Sequence, residues 1–172
     1  MRTILVLTVL GADRPGLIEA IAAIVASHKG NWLESQFARL EGQFAGLLHV
    51  DVQPEQTDAL IEALGGLGSE GLHVHSHRAV VVDESGDGHA MHLELLGYDR
   101  PGIVHEVAAV LAQRAVNVVG LHTECVSAPM TGEPLFKAVA ELTAPASLPL
   151  SELHDTLEQI AEQLQLDLHL DS

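Results

Sequence analysis

The sequence has little that would tie it to an oxidising compartment or to a membrane. Among its 172 residues there is one cysteine, Cys125, so no intrachain disulfide can form, and this favours the reducing cytoplasm. No apolar run approaches the roughly 18 residues that a membrane-spanning helix needs. The apolar start of the chain is short and has no small-residue cleavage site, so we expect a strand there rather than a signal peptide. The sequence therefore predicts a cytoplasmic protein without a membrane segment.

Basic and aromatic residues are also scarce. The chain has 8 Lys and Arg against 24 Asp and Glu, a formal net charge of −16. A field of that sign repels phosphate backbones, and nucleic-acid readers need a basic footprint, so direct binding of nucleic acid is not expected. The acidic surface leaves a basic protein partner open, although solubility alone explains most of these carboxylates. Aromatics make up 3% of the chain and hydrophobic residues 47%, which predicts a globular core of aliphatic side chains.

What the sequence does have is an internal repeat. Asp-Arg-Pro-Gly occurs at Asp13–Gly16 and again at Asp99–Gly102, an offset of 99 − 13 = 86 residues, which is half the chain. Each copy follows an apolar strand-like run, precedes a helix-like run, and is followed by an asparagine 18 residues after its aspartate. A self-match that carries the same local context indicates a duplicated domain. We therefore expect the function to lie where the two copies meet.

Hydrophobic periodicity gives both copies the element order β-α-β-β-α-β. This is the order of the ferredoxin-like sandwich, so the expected fold class is α+β, with two antiparallel four-stranded sheets that each carry helices on one face. We expect domains at residues 1–82 and 89–172, joined by a flexible polar linker at 83–88. The predicted strands are Thr3–Val9, Asn31–Leu40, Gln43–Val52, Leu72–Val82, Ala90–Leu96, Asn117–Val126, Leu135–Leu142 and Leu166–Leu170, and the predicted helices are Leu17–Ser27, Glu55–Leu64, Pro101–Gln113 and Pro149–Leu164.

Proline and glycine are predicted to mark the ends of these elements. Pro15 is placed to take the first position of a helix, where its missing N–H is no loss. Gly30 is placed to end that helix in a left-handed conformation, and Gly65, Gly66, Gly68 and Gly71 to break the second helix. The pair Glu41-Gly42 predicts a tight hairpin turn.

The repeated turn offers the groups that an amino-acid zwitterion requires. Free N–H groups in the first turn of a helix favour a carboxylate. In each copy the aspartate can accept from an amino group, the arginine can pair with a carboxylate, the glycine admits close approach, and the asparagine both donates and accepts. These residues are Asp13, Arg14, Gly16 and Asn31 in the first copy and Asp99, Arg100, Gly102 and Asn117 in the second. The structural alternative is that the aspartate caps the helix and the arginine is solvated.

Both copies resemble the ACT domain, a small module that binds amino acids and regulates metabolic enzymes or transcription. The resemblance is carried by the element order, by Asp-Arg-Pro-Gly at the first strand–helix junction, and by Gly30-Asn31-Trp32 and Val116-Asn117-Val118 after the first helix of each copy. It implies that an amino acid sits between two domains, touching the strand–helix loop of one and the asparagine-bearing strand of its neighbour. The positions it implies are Asp13, Gly16, Asn31, Asp99, Gly102 and Asn117, and the full candidate set adds Ala12, Arg14, Leu17, Tyr98, Arg100 and Ile103.

A chain of two ACT domains resembles one branch in particular, the glycine cleavage system transcriptional repressors. The segment Ser127–Phe136 is similar to Ala-Pro-Met-Ser-Gly-Thr-Pro-Leu-Phe of that branch, with Thr131 and Glu133 as departures. This resemblance implies a non-enzymatic regulator that restrains a transcriptional activator protein, does not bind DNA itself, and responds to glycine. Because ACT sheets often extend edge to edge, it also implies a homodimer. The alternative is an orphan regulatory subunit that controls an amino-acid metabolic enzyme.

Two departures make the copies unequal. Val116 stands where a glycine is expected before Asn117, and a branched residue disfavours a left-handed stop, so we expect the second copy to end its helix differently. Tyr98 stands where the first copy has Ala12, so one ligand site is expected to be better formed than the other.

Three histidines form a separate candidate. His73, His75 and His77 alternate along a predicted strand and so share one face. Same-face neighbours on a strand are about 7 Å apart, so a shared metal would need distortion or further ligands such as His89 or His92. A small metalloenzyme built on this strand is the alternative from another class, and a solvated sheet face is the plain interpretation.

Nothing else in the sequence supports catalysis or a cofactor. Alternation places His122 and Glu124 on the opposite face from Cys125, so this cysteine has no predicted base, and we expect it to be a small core residue. The glycines at 65–68 lack a following Lys-Ser/Thr and do not follow a strand, so no nucleotide cofactor is expected.

Overall fold

The computed structural model describes residues 2–79, 88–128 and 132–171. The chain divides into two compact units, Met1–Val82 and Asp83–Ser172. The first unit contains β1 (Thr3–Ala12), α1 (Leu17–Ser27), β2 (Asn31–Leu40), β3 (Gln43–Val52), α2 (Pro54–Gly66), a short 3-10 turn (Leu67–Glu70) and β4 (Leu72–Arg78). The second contains β5 (Gly88–Tyr98), α3 (Ile103–Gln113), β6 (Asn117–Ser127), β7 (Pro134–Pro145), α4 (Leu150–Leu164) and β8 (Leu166–Asp171).

Each unit has one four-stranded antiparallel sheet. The strand orders are β2-β3-β1-β4 and β6-β7-β5-β8, so β1 and β5 occupy equivalent central positions. Alternate residues of the central strand β1, Leu5, Leu7 and Val9, are fully buried and pack with Ile21 of α1 and Leu60 of α2. One face of the sheet therefore carries the core and the helices, which confirms the predicted α+β, ferredoxin-like fold.

The element bounds agree closely with expectation, and the differences lie at the ends of strands and helices. β2 and β3 have the predicted bounds, whereas β1 runs three residues further, to Ala12, because Gly11 and Ala12 continue the pairing with β3. Residues 80–82 of the predicted fourth strand and 83–87 of the predicted linker lie outside the described residues. Gly88 belongs to β5 and pairs with Pro145, so it is not a linker residue.

The helix α1 has the predicted bounds, whereas Pro15 and Pro101 do not take the first helical position that was predicted for them. Gly16 precedes α1 with φ 92° and ψ 0°, so the helix starts at Leu17 and Pro15 lies outside it. Gly102 has φ 99° and ψ −9° and precedes α3 in the same way, so Pro101 is not helical either. These glycine angles are those of the third residue of a type II turn, in which proline takes the second position. Pro-Gly therefore makes a turn that leads into the helix.

The ends of α1 and α3 are alike, contrary to the expected difference. The left-handed residues are Lys29 and Ala115, both with φ 55°, one position before Gly30 and Val116. Gly30 N–H donates to Val25 O, and Val116 N–H donates to Leu111 O, both at 2.9 Å. This is the hydrogen bond of the Schellman motif. Gly30 is required for space instead: a Cβ there would lie 2.9 Å from Cγ1 of Val25. Val116 stands at the equivalent position of the second unit, where a branched side chain fits and is buried.

Of the glycines predicted to break the second helix of the first unit, Gly65 and Gly66 do not do so, whereas Gly71 ends the helical segment. Gly65 and Gly66 continue α2, and the chain leaves the helical region through the 3-10 turn to Gly71, which has φ 82°. By contrast, the hairpin prediction is confirmed, because Glu41 and Gly42 have φ of 47° and 77°, as a type I′ turn demands. Among the described helices, none combines the length and the hydropathy needed to cross a bilayer.

Candidate functional site

The strand–helix turn has the same backbone in both units. No described side chain caps α1 or α3, and the helices begin with backbone bonds alone: Gly16 O accepts from Ala20 N at 2.9 Å, and Gly102 O accepts from Glu106 N at 3.0 Å. The N–H groups of the first helical turn have no carbonyl four residues back inside the helix. The turn therefore presents backbone donors at the positive end of a helix dipole.

A second backbone bond fixes each turn to the neighbouring hairpin. Asp13 N–H donates to Gly42 O at 2.8 Å, and Asp99 N–H donates to Pro134 O at 3.0 Å. This bond ties the turn to the β2–β3 connection in one unit and to the β6–β7 connection in the other. The aspartate side chains are thereby held at the same place in both units.

The charged side chains of the first turn have partners within the unit. Asp13 Oδ2 lies 2.9 Å from Arg39 Nε in an ion pair. Arg14 Nη2 lies 3.5 Å from Glu70 Oε2 and 3.4 Å from the Glu70 carbonyl oxygen. Asp13 therefore does not cap the helix, whereas Arg14 is exposed, as the structural alternative expected, and its contacts with Glu70 are long and lie at the surface.

An open cleft of about 500 Å³ lies at this turn. Its walls combine the polar turn with apolar side chains of α1 and β3. Leu17 is buried beneath the turn, whereas Ile18 is 42% exposed on its outer side. The lining residues are Asp13, Arg14, Gly16, Leu17, Ile18, Glu19 and Phe44. A cleft with backbone donors, a carboxylate and an apolar wall can accommodate a small zwitterion.

In the second unit the same aspartate faces a thiol. Cys125 occupies the position of Arg39, offset by 125 − 39 = 86 residues, and lies close enough to Asp99 for that carboxylate to act on the thiol. Cys125 is exposed, so its expected place in the core is wrong. It lies on the helix-side face but near the end of the edge strand β6, opposite Phe136. Local desolvation and the charge and hydrogen bonding of Asp99 raise the pKa of the Cys125 thiol.

The remaining residues of the second turn also differ from the first. Arg100 Nη2 lies 3.9 Å from Oε1 of Glu106, a residue of α3, the helix that follows the turn. Tyr98 pairs with Leu135 and is 55% exposed, whereas Ala12, its equivalent, is a small exposed residue opposite Gln43. Ile103 is buried like Leu17 and supports the turn from below.

The structure does not bring the asparagines to the turns of their own units. Asn31 starts β2 opposite Asp51, which pairs with Ile4, whereas the turn follows Ala12. The separation is 12 − 4 = 8 residues along β1, or about 26 Å at roughly 3.3 Å per residue. The second unit repeats this geometry, because Asn117 lies opposite Thr143, which pairs with Ala90. A ligand that touches both kinds of residue would have to take them from different units or chains.

The three histidines lie on the open face of the first sheet. His73, His75 and His77 are exposed and pair across β1 with Leu10, Thr8 and Val6. Within the described part of the chain, the three potential ligand groups that approach within 4.8 Å of one another are instead His154, Asp155 and Glu158, on the surface of α4. Exposed acidic groups on a helix commonly cluster in this way without a metal.

Comparison with known proteins agrees with the fold. Residues 3–77 match the family model of the ACT domain. A structure of an unknown protein from Galdieria sulphuraria is 29% identical over 99% of this chain and 98% of that one, with a TM-score of 0.84. A candidate glycine cleavage system transcriptional repressor of known structure is 19% identical over 99% of this chain and 97% of that one, with a TM-score of 0.70. No curated protein matches the chain.

The first unit contains the segment that matches the ACT-domain model, and the second unit repeats its strand order and its turn. Over its whole length, the fold of the chain is similar to that of the candidate glycine cleavage repressor.

Sequence reasoning missed the partners of the charged turn residues. Arg39, Phe44 and Glu70 lie 26 to 57 residues from Asp13, and no motif marks them. The offset of the repeat aligns Arg39 with Cys125. It therefore predicts that Asp13 and Asp99 lie beside different side chains. That comparison requires knowing that both residues point to the helix side of the sheet, which the strand register supplies.

Proposed function

We propose that this protein is an amino-acid-responsive regulator of the glycine cleavage repressor type. The observation that carries the proposal is the pair of matching Pro-Gly turns, each with uncapped backbone donors and an aspartate, on a tandem ACT scaffold. The ligand is a small amino acid, with glycine first. Its carboxylate binds the first-turn N–H groups and its ammonium group binds Asp13 or Asp99.

The ligand site is completed by a neighbouring domain. Because Asn31 and Asn117 lie about 26 Å from the turns of their own units, they serve the turn of another unit or of a second chain. Ligand binding then favours one arrangement of domains over another, and this changes affinity for a regulatory partner by a coupling free energy. A homodimer is the assembly we propose.

The partner is a protein rather than DNA. The net charge of −16 opposes contact with phosphates and favours a basic protein surface. We propose that this partner is a transcriptional activator, which the protein restrains without chemistry of its own. The alternative is control of an amino-acid metabolic enzyme by the same modules.

Thermal unfolding across a panel of amino acids tests the ligand. A ligand that binds the folded state raises its stability by about 2.7 kcal/mol at 100 times its Kd. We expect a rise in Tm with glycine, and with serine to a smaller extent, that is lost in Asp13→Asn or Asn117→Ala. Asp58→Asn is the matched control, since Asp58 is an exposed carboxylate in an ion pair with Arg78, far along the chain from either turn. Equal shifts in all variants would remove these residues from the site.

Affinity capture on the native protein tests the partner. Recovery of a transcription factor, with an amount that changes when glycine is added, supports the proposal. Recovery of a metabolic enzyme instead would favour the alternative. Retention of an operator DNA fragment by the purified protein alone would contradict the proposed division of labour.

A further inference from the structure

Four side chains on the open face of the second sheet have no part in the proposed function. They alternate between imidazole and carboxylate on two neighbouring strands: His92 and Glu94 on β5, His169 and Asp171 on β8. Strand pairing sets His92 opposite Asp171 and Glu94 opposite His169. Each imidazole therefore has one carboxylate beside it along its own strand and another across from it. We call these four residues the β5–β8 array.

The spacing of the array is that of ligands around one ion. Residues directly opposite each other on antiparallel strands have Cβ atoms about 4.5–5.5 Å apart, and same-face neighbours along a strand are about 7 Å apart. Within each strand the polar atoms are already close: His92 Nε2 lies 3.2 Å from Glu94 Oε1, and His169 Nε2 lies 3.1 Å from Asp171 Oδ2. Two ligand atoms on a tetrahedral zinc ion are about 3.3 Å apart, so each pair has the separation that a shared ion requires.

The chemistry of the array favours a transition metal. Two imidazoles with two carboxylates suit Zn²⁺ and similar ions, whereas Ca²⁺ and Mg²⁺ prefer oxygen ligands alone. Both imidazoles direct Nε2 toward a carboxylate, so Nε2 is the atom in position to bind an ion in each case. Two carboxylates balance the charge of a divalent cation, and the net charge of −16 attracts cations to the protein.

The array is accessible and free to close on an ion. Its four side chains are between 42% and 68% exposed, so they can change rotamer without disturbing the core. No three donor atoms of these described residues lie within 4.8 Å of one another, so an ion would draw the β5 pair and the β8 pair together. An open cleft of about 390 Å³, lined by His92 and Asp171, gives access from solvent.

Glu141 lies beside the array without belonging to it. It stands opposite His92 on β7 and lines the same cleft. Its Oε2 atom is turned toward the far strand, because it lies 3.5 Å from the place that a Cβ on Gly120 of β6 would take. Glu141 therefore adds negative charge near the array and provides a carboxylate whose removal should spare the ligands.

The first unit has a different set at the equivalent place. Val6 and Thr8 of β1 stand where β5 has His92 and Glu94, and they lie opposite His77 and His75 of β4. The edge strand of that unit supplies imidazoles, but the central strand supplies neither an imidazole nor a carboxylate. The alternating array is therefore a feature of the second unit.

We propose that the β5–β8 array binds one divalent first-row transition metal ion, with zinc as the first candidate. The ligands are Nε2 of His92 and His169 and one oxygen each of Glu94 and Asp171. The ion joins the last strand, β8, to the central strand β5, which is its sole neighbour in the described sheet. Because the ligands are brought together only in the folded chain, the ion stabilises the folded state. This inference is independent of the proposed amino-acid function.

Titration of the full, chelator-treated chain with Zn²⁺ alone, followed by calorimetry, tests the array. We expect one principal site per chain. Removal of a group that only supports a metal ligand typically lowers affinity about 10–100-fold, so His92→Ala and His169→Ala should each lower it at least about tenfold. Glu141→Gln is the matched carboxylate control, and His75→Ala and His154→Ala are the matched histidine controls. These three should each change the affinity less than about threefold.

Two further measurements report on geometry and on stability. Co²⁺ in place of Zn²⁺ should give the intense visible absorption of a tetrahedral site, and Asp171→Asn, which keeps the shape of the side chain, should remove it. Zn²⁺ should raise Tm in the unaltered chain and not in His92→Ala or His169→Ala. Circular dichroism of the metal-free variants checks that they fold, as expected for exposed positions.

The outcomes are distinct. Absence of a Zn²⁺ site in the unaltered chain would overturn the inference. Zn²⁺ affinity that survives in His92→Ala and His169→Ala would also overturn it, because the ion would then bind elsewhere, for example at His154. Sensitivity to only one of the two histidines would contradict an ion shared between strands. None of these results bears on the glycine response, so this inference and the proposed function can fail separately.

Discussion

The two units share a backbone and differ in the side chains of one edge strand. Their strand–helix turns agree in φ to within 99 − 92 = 7° and make the same bond to the neighbouring hairpin. Yet β2 presents Arg39 and Phe37 toward the helices, where β6 presents Cys125 and Thr123. Features that depend on glycine, proline and strand register were kept after duplication, whereas the lining of the cleft diverged. Equal scaffolds with unequal linings are expected of two sites that bind different ligands.

The largest expected effect on stability comes from replacing an aromatic side chain of the first unit with its counterpart in the second. Phe37→Thr should remove the ring that stacks on Phe44 and destabilise the unit by about 2 kcal/mol, less than a fully buried phenylalanine because Phe37 is half-buried. Gly46 is kept, because a Cβ there would lie 2.4 Å from the Gln36 carbonyl oxygen. Urea unfolding followed by far-UV circular dichroism measures the loss. Unchanged stability would show that the rings do not support the first unit. The control is the opposite transplant, Thr123→Phe with Ala138→Gly, which should not lower stability by a similar amount.

The turns provide the second test, and here the units should behave alike. Gly16→Ala and Gly102→Ala should each cost about 1–2 kcal/mol, because both positions have φ near +95°, a region that residues with a Cβ disfavour. At Gly16 no described atom lies within 4 Å of an added Cβ, so the cost comes from the backbone. Gly65→Ala is the matched control: Gly65 is helical with open space around it, and alanine there should stabilise the protein by about 0.5–1 kcal/mol. A loss of stability in only one of these two glycine variants would contradict the equivalence of the two turns.

The smallest effect concerns what the two aspartates face. Asp99 raises the pKa of the Cys125 thiol, so Asp99→Asn should lower that pKa and increase the rate of alkylation by iodoacetamide at pH 8. Glu124→Gln is the control, since Glu124 is next in sequence but on the opposite face of β6. Arg39→Cys in a Cys125→Ser background should create a thiol beside Asp13 that alkylates slowly and is accelerated by Asp13→Asn. Equal rates in all variants would show that neither aspartate acts on its neighbour.

Much of the fold could be predicted from the sequence because local patterns determine it. Alternation along the strands predicted the bounds of β2 and β3, and helical periodicity predicted those of α1. The Glu41-Gly42 pair predicted the hairpin turn. Helix ends were less predictable, since Lys29 takes the left-handed position and Gly30 is needed for packing against Val25. That distinction depends on a neighbour across the core, which no local pattern reports.

The candidate site was predictable only in part. The repeat located the turns and their aspartates, because Asp-Arg-Pro-Gly carries a local backbone requirement. The ion pair of Asp13 with Arg39 and the exposed thiol of Cys125 follow from strand register between distant segments. The prediction that an amino acid binds between domains remains a prediction that the experiments above test.

One consequence of the exposed Cys125 is practical. The chain has a single thiol, and that thiol lies beside the aspartate of one of two otherwise matching turns. A fluorophore attached to it would report on the environment of the second turn alone, in a protein that is otherwise unmodified. Duplicated sites usually give signals that are hard to separate. Here the single thiol allows one of the two turns to be labelled selectively.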